Sequence, residues 1–355
     1  MRPQSSKKEM IYHVPQNRIY FNHSTKKMKE TLQYLFEGNI LTREVAKQIL
    51  LKVGKGMYSE SEFASFLTVF KMRPIASEEF AGFRDAMAQL ALKVDLPEYN
   101  AIDVVGTGGD GKNTFNISTL SAFIIAGAGV NVTKHGNYAA SSTSGSSNVL
   151  EYLGYKFSND LAKLKGDLEK GNFCFLHAPL FHPAMKYIAP VRRDLKFPTF
   201  FNILGPMVNP SSPKHQLLGV NNEMNFNHYK NVYNTLDINF MIVNSTDGYD
   251  EVSLTADTHF ASKNKESHLS PADFGFEKIQ PEKLYGGNSV EDAAKIFISI
   301  LEGNGTEEQN NVVLANAALG LNVVYPEKDL LDCVAMARES LESKSALGKL
   351  NSIIN

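Results

Sequence analysis

The stretch Asp103-Val104-Val105-Gly106-Thr107-Gly108-Gly109-Asp110-Gly111 reads as a buried strand running straight into a glycine-rich turn. Glycines let successive backbone N–H groups converge on an anion and let its oxygens come close. Gly106, Gly108 and Gly111 spell G-x-G-x-x-G, the pattern of a dinucleotide-binding turn. Two features weigh against that reading and its implied NAD-dependent dehydrogenase. Residues 112–116 prolong the loop before the next helix opens, whereas a dinucleotide fold starts its helix at the glycines. No acidic residue ends the following strand, which instead runs into Lys134 and His135.

Four further constellations carry chemistry. Asn116-Ile117-Ser118-Thr119 opens a strongly apolar helix. Asn and Ser suit its N-cap, and its free N–H groups and dipole attract a phosphate; a Ser hydroxyl there is also a metal ligand candidate. Lys134-His135-Gly136-Asn137, followed by Ala140-Ser141-Ser142-Thr143-Ser144-Gly145-Ser146, is a cation at a strand end and then a hydroxyl-rich turn, a second anion cradle. Asp247-Gly248-Tyr249-Asp250-Glu251 places adjacent carboxylates on a tight loop, where they repel unless a cation such as Mg²⁺ lies between them. Phe181-His182-Pro183-Ala184-Met185-Lys186, with Pro190-Val191-Arg192-Arg193 and Phe201-Asn202-Ile203-Leu204-Gly205-Pro206, offers two guanidinium groups for a carboxylate. His182 has no Cys or second His at ligand spacing, so zinc is not expected.

These segments need a scaffold. From 25 to 96 the apolar period is helical: Met28, Leu32 and Leu35 share a face, Gly38 stops that helix, and Thr42 caps a second that ends at Gly54. Ser59 and Glu62 form a capping box before Phe63, Phe66, Leu67 and Phe70, and Ser77 precedes Phe80, Phe83, Met87 and Leu90. Beyond Pro97, strands are expected at 101–105, 130–133, 174–176 and 240–243. Helices are expected at 117–128, 145–153, 290–302, 307–319 and 330–343. The fold class is therefore α/β: a small all-helical N-terminal domain and a larger α/β domain with a central, mainly parallel sheet. The boundaries read as a flexible extension at 1–24, the helical domain at 25–96, and the α/β domain at 97–355.

Composition excludes several classes. The 355 residues include 36 Lys+Arg against 38 Asp+Glu, too balanced for a duplex-coating protein. The longest apolar run, 120–130, is broken by two glycines and falls short of the roughly 20 residues a membrane span needs. Cys174 and Cys333 belong to no metal pattern and read as reduced thiols of a cytoplasmic protein.

Taken in order, the motifs resemble the anthranilate phosphoribosyltransferase family: G-T-G-G-D, N-x-S-T, K-H-G-N, S-G-S, H-P-A-M, P-V-R, F-N-x-L-G-P and D-G-x-D-E all occur, over 103–251. The four-helix start extends the resemblance to nearly all of the chain except the extension. The resemblance implies transfer of a 5-phosphoribosyl group from phosphoribosyl diphosphate to the amine of anthranilate, with release of diphosphate, in tryptophan biosynthesis. It also implies Mg²⁺, a homodimer through the helical domain, no nucleic-acid or membrane partner, and a segment near 180–205 that returns to the helical domain. By carry-over, Gly106, Gly109, Asp110, Thr114, Asn116, Ser118, Thr119, Lys134, Ser142 and Ser146 would cradle the diphosphate donor. Ser118, Asp250 and Glu251 would hold the metal. Gly106, Asn137, His182 and Arg192 would line the acceptor path, and Lys134, Asp250 and Glu251 would act in catalysis. A pyrimidine-nucleoside phosphorylase of the same fold and a silent nucleic-acid-binding relative are the alternatives. Three positions depart from the family pattern: Tyr138 and Pro198 where Arg is usual, and Asn148 where Asp is usual.

Overall fold

The computed structural model describes residues 27–139 and 143–354. The extension 1–24 lies outside the described residues.

Four helices open the chain: α1 (Met28–Phe36), α2 (Arg43–Gly54), α3 (Glu60–Met72) and α4 (Ser77–Leu90). Their starts follow the side chains expected. Thr42 Oγ1 accepts from the Val45 N–H, and Ser59 and Glu62 exchange both capping-box bonds. Gly38, just past α1, takes a φ of +82°, the left-handed turn that glycine adopts without penalty. Leu50, Phe66, Phe80 and Phe83 bury the inner faces.

The α/β part runs β1 (Ile102–Gly106), α5 (Ile117–Gly127), β2 (Val132–Gly136), α6 (Ser146–Tyr152), α7 (Leu161–Gly171) and β3 (Phe173–His177), then α8 (Ala178–Phe181) and α9 (Met185–Leu195). It continues with β4 (His215–Gly219), α10 (Glu223–Tyr233), β5 (Asn239–Ser245) and an antiparallel pair, β6 (Thr258–Ser262) and β7 (Glu266–Leu269). Four helices close it: α11 (Val290–Leu301), α12 (Glu307–Val324), α13 (Leu330–Glu342) and α14 (Ser345–Asn351). The strands form one seven-stranded sheet in the order β3-β2-β1-β4-β5-β6-β7, parallel through β5.

Alternation sends strand residues to two covers. Leu217, Met241 and Val243 face the α5, α12 and α13 layer, whereas Leu218, Phe240 and Ile242 pack with α10, the segment 184–208 and the four-helix unit. The returning segment thus shares one apolar core with α1–α4. The chain leaves β1 towards β2 and β3 on one side and comes back to β4 on the other. The C-terminal ends of β1 and β4 are therefore a topological switch point, where ligands of parallel sheets bind.

Candidate active site

A cleft of 1360 Å³ lies above that switch point, between the strand-end loops and residues 70–75 and 192–206 of the helical side. Gly106 ends β1 opposite Gly219 of β4, and both are pressed against the acidic loop that follows β5. A Cβ on Gly106 would sit 2.4 Å from Asp250 Oδ2, and one on Gly219 1.5 Å from the Asp250 carbonyl. No side chain fits at either place. Beyond Gly106 the turn is left-handed at Gly108, Gly109 and Gly111 and lines the cleft. Asp250 Oδ2 accepts from the Gly108 N–H at 2.6 Å, and Asn221 Nδ2 donates to the Gly108 carbonyl at 2.9 Å. The far half of the loop is strapped down, with Phe115 N–H on Leu284 O and Gly286 N–H on Asn113 O. Thr114 is held there at the cleft wall.

Carboxylate oxygens of Asp110, Asp250 and Glu251 lie within 4.8 Å of one another. Burial, then the Asp110 charge, pushes the Asp250 carboxyl up to about 6. Burial, then Asp250 and Asp110, drives Glu251 well above the usual carboxylate range. Glu251 Oε2 is buried without a hydrogen-bond partner. Three crowded acids with an orphaned oxygen fit a hard divalent cation, which takes oxygen ligands and relieves the repulsion. Asp110 belongs to this trio, a grouping the sequence reading did not make. Ser118 stands beside it on α5, its Oγ 3.4 Å from Lys134 Nζ.

Lys134 is buried, and its ammonium also donates to the Val104 carbonyl. Burial pushes it down to about 8, while Asp103, Glu251 and Asp250 hold it up, so it remains mostly charged at neutral pH. Asn116 does not cap α5, contrary to the capping expected of it. Its Nδ2 donates to the Ser144 carbonyl and its Oδ1 is orphaned. The bridge to the β2–α6 turn takes the side chain away from the cap position. The first turn of α5, with Ser118 and Thr119, faces the cleft.

Of the residues expected to cradle the donor, Gly106, Gly109, Asp110, Thr114, Asn116, Ser118, Thr119, Lys134 and Ser146 all line the cleft, as do Asp250 and Glu251. Ser142 lies outside the described residues. Among the expected acceptor residues, Gly106, Asn137 and Arg192 line it. Arg192 Nη2 donates to Asn202 Oδ1 at 3.1 Å, and its guanidinium rests over the Phe201 ring. His182 is set one layer back, with its Nε2 3.2 Å from His135 Nε2. Burial pushes His135 down to about 3 and His182 to about 4, so both imidazoles are neutral. His135 Nδ1 lies 3.2 Å from the Gly205 carbonyl, a partner that only accepts, so this nitrogen carries the proton. His135 Nε2 then accepts from His182 Nε2–H, leaving His135 no free lone pair.

The departures have clear settings. Tyr138 donates its hydroxyl to Glu151 and lays its ring edge against His177. Asn148 Oδ1 accepts from the Ala139 and Gly145 N–H groups, pinning the turn before α6. Pro198 precedes the Thr199–Asn202 turn, where Asn202 Oδ1 accepts from the Thr199 N–H. Asn221, Asn225 and His228 also line the cleft and were not anticipated. Asn221 follows β4, a strand whose polar opening, His215-Gln216, hides it from periodicity, and Asn225 and His228 lie on α10.

Two family models match the chain: the glycosyl transferase family helical bundle domain over residues 29–91, and its a/b domain over 98–347. An anthranilate phosphoribosyltransferase of Cytophaga hutchinsonii is 50% identical over 319 residues, covering 90% of this chain and 97% of that protein. One from Bacteroides fragilis is 49% identical over 92% of this chain and 99% of its own length. Among solved structures, the Thermus thermophilus anthranilate phosphoribosyltransferase superposes with a TM-score of 0.85 at 32% identity, covering 91% of this chain and 98% of that one. The Saccharomyces cerevisiae enzyme in complex with PRPP and Mg gives 0.85 at 27% identity, over 92% and 96%.

Proposed function

The chain belongs to the glycosyl transferase family, among the anthranilate phosphoribosyltransferases, and on that premise we propose how its cleft carries the family's reaction. The enzyme transfers the 5-phosphoribosyl group of phosphoribosyl diphosphate to the amine of anthranilate, releasing diphosphate. The observation that carries the assignment of roles is the convergence of Asp110, Asp250, Glu251, Lys134 and the uncapped start of α5 at one end of the sheet.

In this reading the turn at 106–111, Thr114, Asn116, Ser118, Thr119, Ser142 and Ser146 hold the donor's phosphates and ribose. Asp110, Asp250, Glu251 and Ser118 would hold Mg²⁺, which when bound neutralises charge on the diphosphate. The bond from the anomeric carbon to the diphosphate oxygen breaks as the amine nitrogen attacks, so positive charge builds on the sugar and negative charge on the leaving group. Lys134 and N–H groups of the glycine turn and the start of α5 stabilise that negative charge, and their fixed positions are the main catalytic contribution. Arg192, on the opposite wall, pairs with the acceptor's carboxylate and aims its amine, and Asn137 flanks the path. The cleft walls exclude water, which would otherwise hydrolyse the donor. The aromatic amine attacks while neutral, and the ammonium it becomes is acidic enough to lose its proton to water. No general base is needed, in keeping with His135 having both ring nitrogens engaged.

Two copies pair through the helical domain in this proposal, supported by the exposed apolar side chains Phe36, Ile40 and Met57. The protein works in the cytoplasm; among the described residues, no helix is long and apolar enough to cross a membrane. Phosphorolysis of a nucleoside, the alternative, has no use for three crowded carboxylates. The deciding experiment follows anthranilate fluorescence with and without phosphoribosyl diphosphate and Mg²⁺. Consumption requiring all three components supports the reading, and consumption of anthranilate without the donor, or none at all, refutes it.

A further inference from the structure

Under a buried cover the sheet face should be apolar. The face of β1, β2 and β4 turned towards segment 199–212 is not: Asp103, Thr133, His135 and Gln216 all occupy it and all are buried. Asp103 Oδ1 accepts from the His135 backbone N–H at 3.1 Å, and Oδ2 from Asn209 Nδ2 at 2.8 Å. Asn209 Nδ2 donates also to the Thr133 carbonyl at 2.7 Å. Its Oδ1 accepts from the Ser211 N–H at 2.9 Å, and the Ser211 and Thr133 hydroxyls meet at 3.0 Å. Gln216 bridges Tyr233 and the Pro206 carbonyl.

Among the described residues Asp103 makes no ion pair and its hydrogen-bond donors are neutral; burial raises its carboxyl, and the Lys134 ammonium is near enough to lower it in part. A buried carboxylate held this way is a poor route to stability, since a packed apolar pair serves at least as well. What it does supply is geometry. Asp103 stands three residues before Gly106, and Thr133 one before Lys134, so both donor-side elements start at this seam. Asn209 follows Gly205 and Pro206, which line the cleft and are joined by chain to the Arg192 helix. The amide of one residue, Asn209, therefore ties the wall that carries Arg192 to both strands that carry the donor loops.

We propose that Asp103 and Asn209 are positioning residues for the transfer: their buried pair holds the acceptor wall in register with the donor loops. The inference rests on the transfer reading above. Asn209→Ala removes the tie but touches none of the loops that hold the donor. Its kcat should fall roughly ten- to a hundredfold, the loss expected when reacting atoms are displaced by about an ångström. The KM for anthranilate should rise, while calorimetric affinity for phosphoribosyl diphosphate with Mg²⁺ stays within about threefold, because its hydrogen-bonding groups are intact. Asp103→Asn sets an amide donor against either Asn209 or the His135 N–H and also removes a charge that holds Lys134 protonated, so it should lower kcat and weaken donor binding together. Asn209→Leu keeps the side chain's shape but donates to neither Asp103 nor the Thr133 carbonyl, and should lose as much kcat as Asn209→Ala while donor affinity holds. Unchanged kcat in the folded variants, or a matching loss of donor binding in the Asn209 variants, would overturn the proposal. If Asn209→Ala does not fold, Asn209→Leu decides it. The wild type is assayed alongside: an inactive wild type strikes the transfer reading, and an active wild type with indifferent variants strikes only the positioning role.

Discussion

The carboxylate trio makes the sharpest prediction, because the same charges that fit a cation should burden the protein without one. At 4.8 Å, each ionised pair repels by about 3 kcal/mol at an effective dielectric constant near 20. The titration of Asp250, raised first by burial and then by the Asp110 charge, gives a cost of the same order. Its carboxyl rises from 3.8 to about 6 in the fold, which at 1.36 kcal/mol per pH unit is about 3 kcal/mol. The sign follows from the raised value. The folded protein is relatively favoured below pH 3.8, loses that advantage as the pH climbs to about 6, and bears the whole cost at pH 8. Asp250→Asn keeps an oxygen for the Gly108 N–H but removes the charge. In EDTA at pH 8 it should therefore be more stable than wild type by up to about 3 kcal/mol, a rise of up to about 4 °C in Tm for 355 residues. Adding MgCl₂ should raise the wild-type Tm, by about 2.7 kcal/mol equivalent at a hundredfold excess over Kd, and leave the double variant Asp250→Asn with Glu251→Gln unmoved. That double variant should show no Mg²⁺-dependent consumption of anthranilate while remaining folded by circular dichroism. A double variant less stable than wild type in EDTA, or one that still turns over with Mg²⁺, would refute the reasoning.

Three further outcomes follow from single contacts. Arg192→Ala should raise the anthranilate KM about ten- to a hundredfold, the worth of a charge-assisted hydrogen bond, with the donor KM changed far less; steady-state kinetics in both substrates would expose equal effects. Gly106→Ala forces its Cβ against Asp250 Oδ2 at 2.4 Å, so the acidic loop must shift, and kcat/KM for the donor should drop about a hundredfold; wild-type donor kinetics would show the contact to be unimportant. His182, held down at about 4 by burial, should contribute stability that is complete above pH 6.5 and lost on acidification towards pH 4. The wild type minus His182→Gln, compared by urea unfolding at several pH values, should lose about 1.4 kcal/mol per pH unit in that window, and a flat difference would contradict a neutral buried imidazole.

Helices with an apolar stripe and a cap were readable one residue at a time: Thr42, Ser59 and Glu62 make the bonds that their types suggest. The strands at β1, β2, β3 and β5 showed as apolar runs, although their ends moved by one to three residues. The structure carries β2 through to Gly136, because Lys134 and His135 are buried strand residues and not loop. Charge and polarity misled there, and again at β4, where Gln216 is buried only because Tyr233 and Pro206 satisfy its amide. Helices α7 and α10 went unread for the same reason. Leu161, Leu164 and Leu168 of α7 do keep a helical spacing behind an Asp160 cap, but the stripe is narrow among charged residues, and Leu164 and Leu168 pack only in a small cluster behind β3.

The site divides along the same line. Each loop announces itself locally, since glycines, adjacent acids and a lysine at a strand end are neighbours in the chain. What the sequence does not display is that Asp110 meets Asp250 across 140 positions. That meeting depends on register: Gly106 pairs with Gly219, and Gly219 with Val243, so the loops after β1 and β5 leave the same end of the sheet, β5 running two residues further. Register in turn is set by which residues face which cover. Shifting β5 by one would carry Ile242 from the helical side to the α12 side and lift Asp250 off Gly108. The same logic explains why Asp103 drew no notice as a residue of its own. Alone it is an acid at the head of a strand, and only when β1, β2 and segment 199–212 are assembled does its carboxylate find His135 and Asn209. Local chemistry thus identifies what a residue offers, and pairing between distant strands decides what it offers it to.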